Sequence, residues 1–302
     1  MQELNQENYE NTPRIFSGET AEKETPTPNN PPWNSIMAVG LWVASVVFIL
    51  ILPSLFLLPY LLRQNIPLAN NPELGELIMR NPTAIAISLG GTMFAHLLTI
   101  VLAWAIITNF RKYSFTEMVG WKPGGIKLWL FLILAFFGIL ALAFALTNLL
   151  GAHDNEMTKI LKSSRTAVYL VAILATFSAP FVEEVVYRGV LYSAFQRTFN
   201  VPVAVIVVTL LFALVHVPQY TPDYAAIISI CTLSLLLTLV RAKTDSLLPC
   251  ILFHMFFNGF QSVLLILEPY LALPDSLEQL PEKTSSAIVH LIHLISAVNL
   301  YL

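Results

Sequence analysis

The chain has 302 residues, of which 56% are hydrophobic and only 12% charged, with a formal net charge of -3 and a mean hydropathy of +0.69. An ordinary globular domain is about 25% charged, so this composition excludes a soluble domain and points to a polytopic membrane protein. It also lacks any basic patch that would hold nucleic acid.

In chain order, residues 1–33 form a polar tail with Glu3, Glu7, Glu10, Glu19, Glu22 and Glu24, closing in a proline-rich stretch at 25–33. Low hydrophobicity and abundant proline predict disorder there. The tail lacks the basic start and apolar h-region of a signal peptide, so the first span is expected to persist in the mature chain. Residues 34–302 read as one membrane-embedded domain. Runs of about 20 apolar residues, enough to cross a bilayer, lie at 36–62, 83–108, 128–150, 166–182 and beyond, 201–216, 225–240 and 247–267. An eighth, shorter run lies at 285–302. These runs are uninterrupted rather than alternating, which predicts an all-α helix bundle of seven or eight transmembrane helices, not a barrel. Lysine and arginine in short loops are in excess on the side of the N-terminus, Arg111, Lys112, Lys122 and Arg197 among them. That bias predicts a cytoplasmic N-terminus in a cell-membrane protein.

Smaller features read as structural. His96 stands alone in the second run and is expected to pack or to hydrogen-bond a neighbouring helix. Gly90 and Gly91 beside it permit close helix approach. The aromatic segment 115–121, between Lys112 and Lys122, reads as an interfacial anchor. Cys231 and Cys250 fall in apolar segments and read as small core residues. His290 and His293, three residues apart in the terminal run, are ligand types in a poor place for catalysis.

The chemistry concentrates at Glu183 and Glu184, adjacent carboxylates at the end of the apolar run 166–182. An ionisable side chain at membrane depth costs a few kcal/mol and marks a functional site by default. Arg188 lies one helical turn beyond Glu184, on the same face, and is the one basic residue placed inside a span; Arg241 falls in the loop after residue 240. Pairing with Arg188 would keep Glu184 ionised, whereas Glu183, beside that charge and short of water, is expected to bind its proton more tightly. That is the behaviour of a general base working near neutral pH.

Two further polar sets follow at i,i+4 spacing, Phe212 with His216 and His254 with Asn258. A turn near Asn200 and Pro202 makes the flanking spans an antiparallel pair. Glu183 lies about 17 residues before that turn and His216 about 16 after it, so at 1.5 Å per residue both sit roughly 25 Å along their helices. They can meet across the pair.

This ordered set, Glu-Glu-x-x-x-Arg, Phe-x-x-x-His and His-x-x-x-Asn, with Ser246-Leu247 ahead of the third motif, resembles the CAAX protease and bacteriocin-processing family, which includes the type II CAAX prenyl endopeptidase and the abortive-infection proteins. The resemblance spans about 166–262. It implies a membrane-embedded endopeptidase acting on a peptide or protein substrate at the bilayer, in which Glu183 and His216 activate water and His254 and Asn258 stabilise the oxyanion. Glu184 and Arg188 then orient the catalytic groups. The physical reading of the residues fits those roles.

Other readings stay open on residues alone. His216, His254 and one glutamate are suitable zinc ligands, although the His-Glu-x-x-His signature is absent; the expected chemistry needs no cofactor. There is no Gly-x-Ser-x-Gly elbow, and no aspartate lies in a span. A proton-coupled transporter would use similar relays, but the first three spans show no inverted repeat of the glutamate segment. A non-catalytic membrane scaffold or immunity protein on the same fold is the remaining alternative.

Overall fold

The computed structural model describes residues 25–68 and 74–271. Among them are seven helices long and apolar enough to cross a membrane. The run at 285–302, with His290 and His293, lies outside the described residues, as do residues 1–24. The long helices are α1 (Ser35–Arg63), α3 (Pro82–Thr108), α5 (Ile126–Leu150), α7 (Arg165–Thr198), α8 (Val201–Tyr220), α9 (Tyr224–Thr244) and α10 (Leu248–Leu271). Short helices α2 (Leu74–Met79), α4 (Phe115–Val119) and α6 (Glu156–Ser163) connect them. No strand occurs among the described residues.

Capping chemistry fixes where the helices begin. Asn34, Asn81, Asn155, Ser164, Asn200 and Asp223 each accept a hydrogen bond from a backbone N–H in the first turn of the helix that follows, satisfying donors that have no intrahelical partner. Pro82 and Pro202 sit at helix starts, where the missing N–H costs nothing.

Helices α1 and α3 are tightly packed. At Gly91 an added Cβ would lie 2.7 Å from the Cα of Pro53, so only glycine lets the two backbones come this close. Gly120, at φ +69, would place a Cβ 2.0 Å from the carbonyl oxygen of Asp245. Here the Ser246-Leu247 pair docks: Ser246 Oγ donates to the carbonyl of Gly120 and accepts from the N–H of Lys122, and Leu247 N–H donates to the carbonyls of Val119 and Gly120. The aromatic segment 115–121 thus does more than rest at an interface. Its Met118 and Val119 are buried, and it clamps the start of α10.

The proline-rich stretch departs from the expected disorder. Trp33 is fully buried and donates from Nε1 to the carbonyl of Val190 at 3.0 Å. Arg197 donates to the carbonyls of Pro31 and Trp33, and Gln196 donates to Asn29 Oδ1. A polar composition keeps a chain unfolded only while it has no partner, and here side chains of α7 satisfy the strap's carbonyls.

Candidate active site

Helix α7 carries the glutamate pair and is not a regular α-helix. Two π-helical segments, Leu174–Ser178 and Val185–Leu191, flank the turn that holds Glu183 and Glu184. Such bulges gather at functional sites because a widened turn re-aims side chains. The first lies just ahead of Pro180. Pro180 has no N–H to donate, so the carbonyl of Ala175, five residues earlier, lacks its π-helical partner. Asn258 Nδ2 on α10 donates to that carbonyl instead, at 3.0 Å.

Glu184 and Arg188 are fully buried and joined by a 2.8 Å ion pair. Helix α9 grips the guanidinium along one face: Arg188 Nη2 donates to Ser234 Oγ at 2.7 Å and to the Ser234 carbonyl at 2.9 Å, and Nε to Thr238 Oγ1 at 3.2 Å. The ring of Phe212 lies 4.7 Å from its Cζ. Glu184 Oε1 also accepts from His254 Nδ1 at 2.8 Å. One carboxylate oxygen therefore holds an arginine from its own helix and a histidine from α10. Because a carboxylate accepts, the Nδ1 of His254 carries a proton, which fixes its tautomer.

Glu183 faces the other way. Its Oε1 lies 3.9 Å from His216 Nε2 and its Oε2 3.9 Å from His254 Nε2. Both gaps exceed a direct hydrogen bond and have the size that one bridging water closes. His216 is also fixed in orientation. Its Nδ1 donates to the Phe212 carbonyl at 2.7 Å, and its ring stacks on Phe212 with centroids 4.7 Å apart. In its neutral form each histidine thus turns an Nε2 lone pair toward Glu183. The side chain of Glu183 is 23% exposed and that of His216 18%, against 4% for His254, so Glu183 and His216 reach the protein surface and His254 does not.

Of the residues singled out in the sequence, Glu183, His216 and His254 converge, and Glu184 and Arg188 form the buried pair behind them. Asn258 lies one turn from His254, with its amide committed to Ala175. His96 hydrogen-bonds Ser178 Oγ through Nδ1 at 2.7 Å, joining α3 to α7. Cys231 and Cys250 are free thiols.

Arg241 was placed in a loop by its sequence position and is instead inside α9, fully buried. The apolar run stops at residue 240, but the helix continues to Thr244, so hydropathy ended the span four residues early. Arg241 Nε donates to the backbone carbonyl of Arg188 at 3.2 Å, and Nη2 to Pro28 O at 3.1 Å and Ser193 Oγ at 3.0 Å. Ser234, Thr238 and Arg241 share one face of α9 at i, i+4 and i+7 spacing, and all three hold Arg188. That spacing was the available signal.

Metal ligation has its residue types here, since a histidine that donates Nδ1–H to a carbonyl or carboxylate and exposes Nε2 is the usual ligand arrangement. Among the described residues, however, no group of three or more His, Cys, Asp or Glu side chains is placed to hold a metal ion.

Residues 165–260 match the family of type II CAAX prenyl endopeptidase Rce1-like proteins. The Rce1-like segment covers about a third of the chain and contains Glu183, Glu184, Arg188, Phe212, His216, His254 and Asn258. No curated protein and no solved structure matches the chain. The Rce1-like match supports a peptidase of the CAAX protease type, and with seven membrane-length apolar helices the chain is an integral membrane protein. The strap at 25–34, α1, α3 and α5 lie outside the Rce1-like segment, yet the first of these holds it through Trp33 and Pro28.

Proposed function

We propose that the protein is an intramembrane endopeptidase in which Glu183 and His216 activate water. The observation that carries this reading is the 3.9 Å separation of Glu183 Oε1 from a His216 Nε2 whose tautomer is fixed by the Phe212 carbonyl. A water between them donates one proton to Glu183 and the other, as a hydrogen bond, to His216. Its oxygen attacks the carbonyl carbon of the scissile peptide, forming the new C–O bond. The tetrahedral intermediate collapses with cleavage of the C–N bond, and the proton on Glu183 passes to the leaving amine. In this reading the second amide hydrogen of Asn258, and His254 when protonated at Nε2, donate to the oxyanion. Glu184, held by Arg188, keeps His254 in place.

No step runs through a metal. The family description names a prenyl endopeptidase, and a prenylated C-terminal peptide is accordingly the first substrate to try. The test uses the purified full chain in liposomes with a farnesylated CAAX peptide. Cleavage by wild type, loss of about a hundredfold or more in Glu183→Gln and in His216→Ala, and full activity after chelation are the expected results. Comparing membrane peptides from cells carrying wild type or Glu183→Gln identifies the native product. Intact cellular function in a folded Glu183→Gln protein would favour a scaffold, and loss of activity on chelation with recovery on adding zinc would replace the mechanism with metal catalysis.

A further inference from the structure

The sequence pattern pairs each glutamate with a residue one turn on, Glu184 with Arg188 and Glu183 with Tyr187. Tyr187 has no place in the mechanism above. It is 5% exposed, and its ring meets Phe212 edge-on with centroids 5.0 Å apart. Phe212 is the hub of the site: His216 stacks on it, the His254 ring lies at 6.0 Å, and the Arg188 guanidinium at 4.7 Å. Tyr187 completes that ring of contacts. It lies about one helical turn from Glu183 along α7.

Its hydrogen bonding leaves a proton over. Trp42 Nε1 on α1 lies 2.9 Å from Tyr187 Oη, and an indole N–H can only donate. The phenol oxygen is therefore the acceptor, and its own O–H must point elsewhere. Among the described residues that O–H has no acceptor. A buried hydroxyl proton without a partner costs about 1–3 kcal/mol, and in a native protein such a group calls for a reason.

The site lacks what Tyr187 has to spare. Neutral His254 gives its N–H to Glu184 and turns a lone pair to the centre, and the Asn258 amide is committed to Ala175. Only one amide hydrogen of Asn258 remains as a neutral donor for an oxyanion. We propose that Tyr187 is a further catalytic residue, whose O–H, oriented by Trp42, donates a hydrogen bond to the oxyanion of the tetrahedral intermediate. No proton is transferred, so the bond changes are those given above. The proposal rests on the peptidase reading.

The experiment compares wild type, Tyr187→Phe, Trp42→Phe and Glu183→Gln as full chains in liposomes on the farnesylated CAAX peptide, with thermal unfolding of each. Tyr187→Phe keeps the ring on Phe212 and removes only the hydroxyl. The expected result is a fall in kcat of about a hundredfold at unchanged KM, with a near-normal melting temperature. Trp42→Phe leaves the hydroxyl but frees its orientation, and a smaller fall in kcat, severalfold, is expected. Wild-type kcat in Tyr187→Phe beside an inactive Glu183→Gln overturns the proposal while the peptidase reading stands. If Tyr187→Phe does not fold, Trp42→Phe decides alone: wild-type kcat overturns the proposal. Absence of cleavage by wild type, or full cleavage by Glu183→Gln, removes the peptidase reading and this inference with it.

Discussion

Asn258 Nδ2 donates to the carbonyl of Ala175 at 3.0 Å. The bond exists because Pro180 cannot supply the N–H that a π-helical turn would direct at that oxygen, and it couples α10 to the widened turn of α7 ahead of Glu183. Pro180→Ala restores the backbone donor and competes with Asn258. The restored i,i+5 bond is expected to release Asn258 from Ala175 and to loosen α10 against α7, with about a tenfold or greater loss of kcat and the fold retained. A crystal or cryo-EM structure of the variant, with its turnover, checks both parts. Unchanged turnover with Asn258 released would separate the Asn258–Ala175 bond from the site.

Arg188 makes a different prediction. Its guanidinium reaches Glu184, Ser234 and Thr238 at once, a geometry that a single ammonium cannot reproduce. Arg188→Lys should therefore lose most activity and also stability, whereas Arg188→Met leaves Glu184 buried without its cation. Breaking a buried pair from one side costs about 3–5 kcal/mol. Thermal unfolding in detergent should rank wild type above the lysine variant and that above the methionine variant.

Gly91 tests the packing that carries the outer helices. Its missing Cβ would meet the Pro53 backbone at 2.7 Å, which no side-chain rotation relieves. Gly91→Ala should destabilise by about 1–3 kcal/mol through separation of α1 and α3, read as a lower melting temperature. Gly90→Ala, with nothing within 4 Å of the added carbon, is the matched control and should be near neutral.

Asp223 gives a pH dependence outside the spans. Burial raises its pKa above the ordinary value, against the backbone N–H groups of Ala226 and Ala225 that favour the charged form. A raised carboxylate pKa means that the folded state binds the proton more tightly than the unfolded state. Its contribution therefore favours folding at acid pH and is lost as pH rises from the unfolded pKa through the folded one. Asp223→Asn keeps an N-cap acceptor for Ala226 and removes the buried charge. Stability at pH 7 should rise, and the decline above pH 4 attributable to this group should vanish from melts collected across pH.

The all-helical membrane fold was legible before any coordinates, because hydropathy over about 20 residues reports directly on transfer into a bilayer. The same signal misplaced what hydropathy does not measure. It ended the sixth span before Arg241, since a guanidinium reads as polar whether or not a helix continues through it. It assigned the proline-rich stretch to the tail, since composition does not register that Arg197 and Arg241 wait on other helices for its carbonyls. Pro180 was visible inside a predicted span, but whether a proline kinks, breaks or widens a helix depends on the neighbours that satisfy the orphaned carbonyl.

By itself the sequence determined that charged and imidazole side chains would lie at matching depths on successive helices, because i,i+4 spacing and helical rise are local properties. It determined too that Glu184 had Arg188 within a turn. Only the tertiary structure decided which oxygen faces which nitrogen. That Glu184 holds the Nδ1 of His254 while Glu183 faces two Nε2 atoms at 3.9 Å follows from the packing of α7 between α8 and α10 and from two π-helical turns. Those are consequences of long-range contact, which no spacing along the chain encodes.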